Sequence, residues 1–290
     1  MPKVIPFKIP KSNKEFVRYQ VDSAKYFYDK LHQHPQWQLT VIIEGKGHLF
    51  VGDYLGRFEP GDIYFFSANL PHVFRSDAEY YDLQSESKSL GLTLFFDFEA
   101  MGETFSELEE FSGLHHWVQR TKGCFKVIGE LKFQIREIFI KMEAQLGLER
   151  MVSSLGILHL LQQSSQLVPL NKMISSKDLK EIEGNRMGQV MAYILSNSQE
   201  KLTLQEVSAV ANLSKEAFCR FFKERTGKTF TEFVSQIRIH QACQLLQDTD
   251  YSISEIAFQC GFQNLSYFNR SFKKYQRETP KEFRRMVNKI

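Results

Sequence analysis

The sequence predicts an α+β, multidomain chain: a β-barrel with a helical hairpin, then an all-α domain with two helix-turn-helix units. Three observations carry that expectation. Residues 19 to 98 are aromatic and β-branched, cut at short intervals by turn signals, as in an all-β sandwich or barrel. From residue 131 the apolar residues recur every three or four positions instead. Near the carboxy terminus one stretch is written twice, fifty residues apart, and such a repeat marks a supersecondary unit.

The β segment is punctuated by EGKG at 44 to 47, VGDYLG at 51 to 56, EPGD at 59 to 62 and NLP at 69 to 71. The first helix of the hairpin carries Leu131, Ile135, Ile138, Phe139, Met142 and Leu146; after Gly147 the second carries Met151, Leu155, Leu158 and Leu161. Such a hairpin can pack on the barrel or on a partner chain. Residues 162 to 184, QQSSQLVPLNKMISSKDLKEIEG, are polar with a Pro and paired Ser, the composition of a linker. The expected domains are therefore 1–165, for effector binding and dimerisation, and 185–290, with 166–184 between them.

At 290 residues, 42% hydrophobic and 24% charged, the chain can fill two cores, which excludes disorder as its default state. Residues 201 to 290 hold 15 Lys+Arg against 9 Asp+Glu, a local +6, which leaves 22 against 25, or −3, for residues 1 to 200. A basic half points to a polyanion partner. Cys124, Cys219, Cys243 and Cys260 show no metal-ligand spacing and read as reduced thiols. The start, MPKVIPFKIPKSN, lacks a signal-peptide core, and no apolar run reaches the ~18 to 20 residues of a membrane span. A cytoplasmic protein with no membrane partner is expected.

The repeated text is FCRFFKERTGKTFTEF at 218 to 233 and FNRSFKKYQRETPKEF at 268 to 283. Around it stand four Ser/Thr residues with Glu three positions on: Thr203 with Glu206, Thr229 with Glu232, Ser252 with Glu255 and Thr279 with Glu282. These are capping boxes, in which side chains satisfy orphan amides at a helix start. With turns at NLS, 212 to 214, and CGFQN, 260 to 264, each copy reads as helix, turn, helix. Phe218, Phe221 and Phe222 in one copy, and Leu265, Phe268 and Phe272 in the other, supply the expected buried stripe. The opposite face presents Glu216, Cys219, Arg220 and Lys223, and fifty residues on Ser266, Asn269, Arg270 and Lys273. Lys215 and Asn264 stand at the helix starts. Any amphipathic helix has a polar face, but the same face repeated in two helix-turn-helix units of a basic segment points to double-stranded DNA, where Arg pairs with guanine and Asn with adenine.

Over residues 186 to 285, LTLQEVSAVANLSKEAFCRFFKERTGKTFTEFV, RIHQACQLL and SISEIAFQCGFQNLSYFNRSFKKYQRETPKEFRR resemble the DNA-binding domain of the AraC/XylS family of bacterial transcription regulators. The resemblance implies seven helices, with a joining helix at about Thr231 to Gln247 whose Ile239, Ala242, Leu245 and Leu246 pack against both units. It also implies recognition helices ~34 Å apart, one DNA turn, reading successive major grooves. By position, Glu216, Cys219 and Arg220, and Ser266, Asn269 and Arg270, stand where that family contacts bases. Two departures matter. Cys219 hydrogen-bonds poorly and Glu216 is repelled by phosphate unless it meets a cytosine amino group, so the first unit is expected to read fewer bases. Arg277 also occupies the slot held by Gly227 in the first copy, which argues against a glycine cap there.

Upstream, HQHPQWQLTVIIEG at 32 to 45 and EPGDIYFFSANLPH at 59 to 72 resemble the two motifs of the cupin fold. His32, His34 and Gln38 share one parity along a strand, and Trp37 has the other. In metal-binding cupins these slots, with His72, would be His, His, Glu and His; here Gln38 replaces the carboxylate, and a neutral amide donates less to a cation. The group can bind a metal, line a pocket for an organic effector, or serve structure alone. The reading adopted is the effector pocket, with no metal and no cofactor; the alternative is a metal-dependent cupin enzyme or metal sensor with a DNA-binding appendage. The enzyme needs an intact ligand set and leaves the repeat unexplained, and an architectural DNA-binding protein leaves the barrel idle. No Ser/His/Asp triad, phosphate loop or catalytic carboxylate pair is present, so no enzymatic activity is expected. The resemblance implies a regulator sensing a sugar or other metabolite, dimerising through helices 131 to 163, most commonly an activator, with RNA polymerase as a further partner. Effector binding is expected to change how domains or subunits are arranged.

Overall fold

Alternation along the strands decides the amino-terminal unit. In β2 (Trp37–Glu44), Trp37, Leu39 and Val41 enter one core, while Gln38, Thr40 and Ile42 face the other way, because successive side chains of a strand project to opposite sides. β5 (Ile63–Phe66) and β7 (Ser89–Phe96) obey the same rule, sending Ile63, Phe65, Leu92, Leu94 and Phe96 to the first core. The computed structural model describes residues 15–82, 84–102, 107–171 and 181–287. It divides into two units, Met1–Gly184 and Asn185–Ile290.

The first unit adds β1 (Val17–Ala24), β3 (Gly47–Val51), β4 (Tyr54–Phe58), β6 (His72–Ser76), β8 (Cys124–Val127) and β9 (Leu167–Pro169). A six-stranded antiparallel sheet of order β1-β7-β2-β5-β8-β9 faces a three-stranded sheet of order β4-β3-β6. Between them Ile42, Leu49, Phe58, Tyr64, Phe66 and Phe74 form an aromatic core, with Phe58 edge-on to Phe74 at 5.3 Å. The outer face of the large sheet is covered by α1 (Glu109–Arg120), α2 (Gly129–Met142) and α3 (Gly147–Gln163), through Leu114, Leu131, Ile135, Phe139, Met142, Ile157, Leu158 and Leu161. The hairpin thus packs on its own barrel. Its remaining faces expose Phe133, Ile140, Leu148 and Val152.

Three sequence expectations change here. Leu146 is not a core residue: α2 ends at Met142, and Leu146 lies between the helices, 74% exposed. The linker does not begin at 166, because β9 hydrogen-bonds to β8 and residues 166–171 belong to the barrel; residues 172–180 of that linker lie outside the described residues, and 181–184 open a helix. α1, β8 and β9 were not anticipated, being short or, like α1, burying only Leu114.

Among the described residues seven helices follow, the first crossing the boundary between the units: α4 (Glu181–Ser196), α5 (Leu204–Val210), α6 (Lys215–Thr226), α7 (Phe230–Asp248), α8 (Ile253–Gln259), α9 (Leu265–Gln276) and α10 (Pro280–Val287). All four capping boxes form, at Thr203, Thr229, Ser252 and Thr279. The joining helix α7 packs as two halves. Phe230 and Phe233 meet Phe218 and Phe222 of the first copy. Ile239, Ala242 and Leu246, with Leu245 at their edge, cluster with Phe262, Phe268 and Phe272 of the second copy. Leu265 is exposed, and the buried stripe of α9 is Phe268, Ser271 and Phe272. Phe221 is half-buried beneath the Arg186 guanidinium.

Candidate DNA-reading faces and effector pocket

Each recognition helix begins at a side-chain cap. The Ser214 hydroxyl accepts the Ala217 N–H at 3.2 Å and the Asn264 carbonyl oxygen accepts the Tyr267 N–H at 2.9 Å. Asn264 therefore commits one lone pair of its oxygen to the helix and keeps its NH2 as a free pair of donors in that cap. Burying Phe218 and Phe222, or Phe268 and Phe272, turns the opposite stripe outward. Lys215, Glu216, Cys219, Arg220 and Lys223 on α6 are exposed, as are Ser266, Asn269, Arg270 and Lys273 on α9. The Glu216 carboxyl is held below its ordinary range by a bond from its own backbone N–H, then by the Ser214 hydroxyl, Lys215 and Arg220. It stays ionised at neutral pH, a hydrogen-bond acceptor beside Arg220 and Lys223 on the same exposed face. Arg277 ends α9 at φ 66°, ψ 3°, matching Gly227 at φ 67°, ψ 0°. The left-handed cap forms without glycine.

In the first unit a cavity of about 560 Å³ is lined by His32, Gln38, Thr40, His72, Thr93 and Phe95, with Asp22 and Tyr28 among the remaining wall residues. His34 is not on this wall; it is buried beside Gln38. The convergence expected of His32, His34 and Gln38 is present, but strand parity is not its cause, since β2 begins only at Trp37. An isolated antiparallel bridge joins His32 to His72, with N–H to O distances of 3.1 and 2.9 Å, and brings their rings to 4.5 Å. Trp37 points away, between Phe65 and Trp117.

Each imidazole places Nδ1 against a backbone oxygen: His32 on Lys30 at 2.8 Å, His34 on Gln36 at 3.0 Å, His72 on Leu70 at 2.7 Å. An imidazole donating there from Nδ1–H keeps its lone pair on Nε2. Gln38 Oε1 lies 2.9 Å from His34 Nε2 and 3.0 Å from His72 Nε2. Gln38 Nε2 donates to Thr40 Oγ1 at 2.8 Å, Thr40 meets the Thr93 hydroxyl at 3.1 Å, and that hydroxyl donates to Asp22 at 3.3 Å. A chain of hydrogen bonds thus runs from the Gln38 amide NH2 to a carboxylate, while the Gln38 oxygen faces the two Nε2 atoms. Burial pulls the histidine pKa values down, His32 to about 3 and His34 to about 4, with His72 also well below its usual value. All three are neutral at pH 7. Burial likewise pushes the Asp22 carboxyl up, against bonds from Gln20 and Thr93.

The donor set fits a cation. Ligand atoms of the three histidines lie within 4.8 Å of one another, and with Nδ1–H fixed by carbonyls the nitrogens beside the Gln38 oxygen are lone-pair donors, the outer-shell arrangement that orients metal ligands. Four neutral donors suit Zn or Cu more than Mg or Ca. Asp22, Thr40 and Thr93 are site residues that the sequence reading missed.

Two helix-turn-helix units with matching exposed polar faces, together with a barrel with an inward polar pocket, are the architecture of a DNA-binding transcription regulator. Residues 207–286 match the model of a helix-turn-helix domain, and residues 24–81 match that of the cupin domain. The chain is 26% identical over 270 residues to the HTH-type transcriptional regulator YdeC of Bacillus subtilis, covering 89% of this chain and 87% of that one. It is 24% identical over 274 residues to the HTH-type transcriptional regulator MtrA of Neisseria gonorrhoeae, covering 84% and 85%. To the HTH-type transcriptional activator RhaS of Klebsiella pneumoniae it is 29% identical over 154 residues, 52% of this chain and 53% of that one. The chain thus carries an AraC-type helix-turn-helix domain and an amino-terminal cupin domain, and the relatives it matches over most of its length are HTH-type transcription regulators. No helix among the described residues is long and apolar enough to cross a membrane.

Proposed function

We propose that α6 and α9 enter successive major grooves of one operator, reading bases through Glu216, Cys219, Arg220, Ser266, Asn269 and Arg270 and holding the backbone through Lys215, Lys223 and Lys273, with Asn264 at the helix start. The barrel cavity takes a small-molecule effector, such as a sugar or other metabolite, against His32, Gln38 and His72, with His34 supporting them. One observation carries the DNA reading: both helices bury the same two phenylalanine positions and expose the same polar positions fifty residues apart. Selecting duplexes from a randomised pool with the full chain tests it. Two recurring half-sites about one helical turn apart support the reading, and a single half-site sinks it.

The domains in this reading are a sensing barrel ending near residue 171 and a reader beginning at 185. Dimerisation uses the outer face of the hairpin, where Phe133, Ile140, Leu148 and Val152 are all more than half exposed. Leu148→Asp is expected to give a monomer by light scattering; an unchanged mass removes this face. The bound dimer acts in the cytoplasm as an activator, through RNA polymerase, without catalysing a reaction, in line with the activator RhaS among its relatives. A second reading rests on the imidazole tautomers: His32, His34 and His72, with Gln38, hold a divalent transition metal that is itself the signal or part of the pocket. Metal analysis of the full chain prepared without chelator decides, beside a His72→Ala control. One metal per chain, lost in the control, supports this reading, and none returns the histidines to effector lining.

A further inference from the structure

The joining helix α7 belongs to both helix-turn-helix units. Its first turn is gripped by the apolar core of the first copy, and from Ile239 onward by that of the second. Where the two cores meet, the buried Val234 and Ile237 continue the apolar side of the helix, and polar contacts run beside them. Arg238, one residue before Ile239, donates from Nε to Ser198 O at 2.7 Å and from Nη2 to Glu200 O at 2.8 Å, while its guanidinium lies 5.8 Å from the Phe262 ring centre. Gln241 adds a bond to the Ser198 hydroxyl at 2.9 Å. Ser198 to Glu200 is the turn that leads into the first copy, and Phe262 lies in the turn of the second. The two turns touch directly: at Gly261, φ 83°, an added Cβ would sit 2.7 Å from Gln199 O and 2.9 Å from Ser198 O. The Tyr267 hydroxyl also bonds Ser235 Oγ at 2.8 Å and the Tyr275 hydroxyl donates to Glu232 O at 3.0 Å, tying both ends of α9 to the start of α7.

We infer that Arg238 is a positioning residue: by clasping the entry turn of the first copy and the turn of the second from the helix that joins them, it fixes the separation of the recognition helices, so that the protein selects operators by half-site spacing as well as by base sequence. The inference rests on the reading that both helices contact DNA. A guanidinium suits the role because its rigid planar fork serves two carbonyls while stacking on a ring, which a lysine ammonium does not reproduce. The two tyrosines, bonded to the start of the same helix, restrain the same separation.

The experiment takes a duplex selected by the wild-type chain and compares it with derivatives carrying one base pair more or fewer between the half-sites, and with one whose second half-site is scrambled. One base pair moves a half-site by about 3.4 Å along the axis. Wild type is expected to lose about tenfold or more on either misspaced duplex, the scale of one mismatched base pair. Arg238→Met is expected to cut that loss to about threefold or less while leaving affinity for the scrambled duplex within about twofold of wild type. Arg238→Lys is expected to fall between. The pair Tyr267→Phe and Tyr275→Phe is expected to relax spacing in the same direction, and it decides the matter if Arg238→Met does not fold. A wild-type spacing penalty retained in the Arg238→Met and tyrosine variants overturns the inference, as does an equal loss on every duplex including the scrambled one. Selected duplexes without two half-sites would instead sink the two-groove reading, and the inference with it.

Discussion

Arg270 and Asn269 are placed to ask for particular bases, whereas their counterparts Arg220 and Cys219 include a residue that asks for little. In the proposed reading the second recognition helix is therefore the more selective. Arg270→Ala is expected to cost ~1 to 3 kcal/mol on the selected duplex and to relax one base position; anisotropy titrations on duplexes varied at each position measure it, and an equal loss on every sequence would assign Arg270 to phosphate. In the barrel, Asp22 makes a prediction of its own. Its carboxyl is pushed up by burial, so the folded chain binds that proton more tightly than the unfolded chain, and the group's contribution to stability falls as pH rises above about 3.8, its unfolded value. Asp22→Asn is expected to raise the melting temperature at pH 7, by a margin that shrinks as pH falls toward 4. No gain at pH 7 would show that the folded barrel stabilises the ionised form. The histidines were legible because motif spacing marks them. Asp22 and Thr93 were not, because their links span 71 residues between Thr93 and Asp22 and 53 between Thr93 and Thr40, and only the sheet order brings them together.

At the scale of elements, legibility followed local chemistry. The four capping boxes and the helices they open were readable because the side chains that start each helix lie within three residues of one another. By contrast β8 and β9 exist through pairing with β5 and with each other, and α1 is held by the sheet rather than by a marked start. Parity was right for Gln38 and Trp37, which are on a strand, and gave the wrong cause for His32 and His34, which precede it. The end of α9 tests how far local preference governs. Arg277 takes a left-handed conformation that costs an L-residue ~1 to 2 kcal/mol, partly offset because glycine loses more backbone entropy on folding. Arg277→Gly is expected to stabilise the chain by roughly 0.5 to 1 kcal/mol in urea unfolding, and Gly227→Arg to destabilise it by a similar amount. A loss of stability in Arg277→Gly would show that the arginine side chain holds the cap by contacts that outweigh its backbone strain.

Across the whole molecule the charge is divided, +6 in residues 201 to 290 and −3 in the rest, so the attraction for DNA comes from the carboxy-terminal unit and is opposed by the net charge of the remainder. Counterion release makes this measurable, since each phosphate neutralised adds ~0.9 to the slope of log affinity against log salt. Lys223 and Lys273 occupy matching positions on the two recognition helices, both exposed on the face bearing the base-reading residues. If both helices dock on one operator, Lys223→Ala and Lys273→Ala are each expected to weaken binding nearly uniformly across sequences and to flatten the slope by about one, and the double variant by about two. The double variant carries the argument about the whole molecule. A slope that responds to Lys273 alone would mean that the second unit binds while the first stands off the DNA, so that Glu216 and Cys219 would be its surface and not its reading face. Additive slopes would mean that the repeated text describes two hands on the same operator.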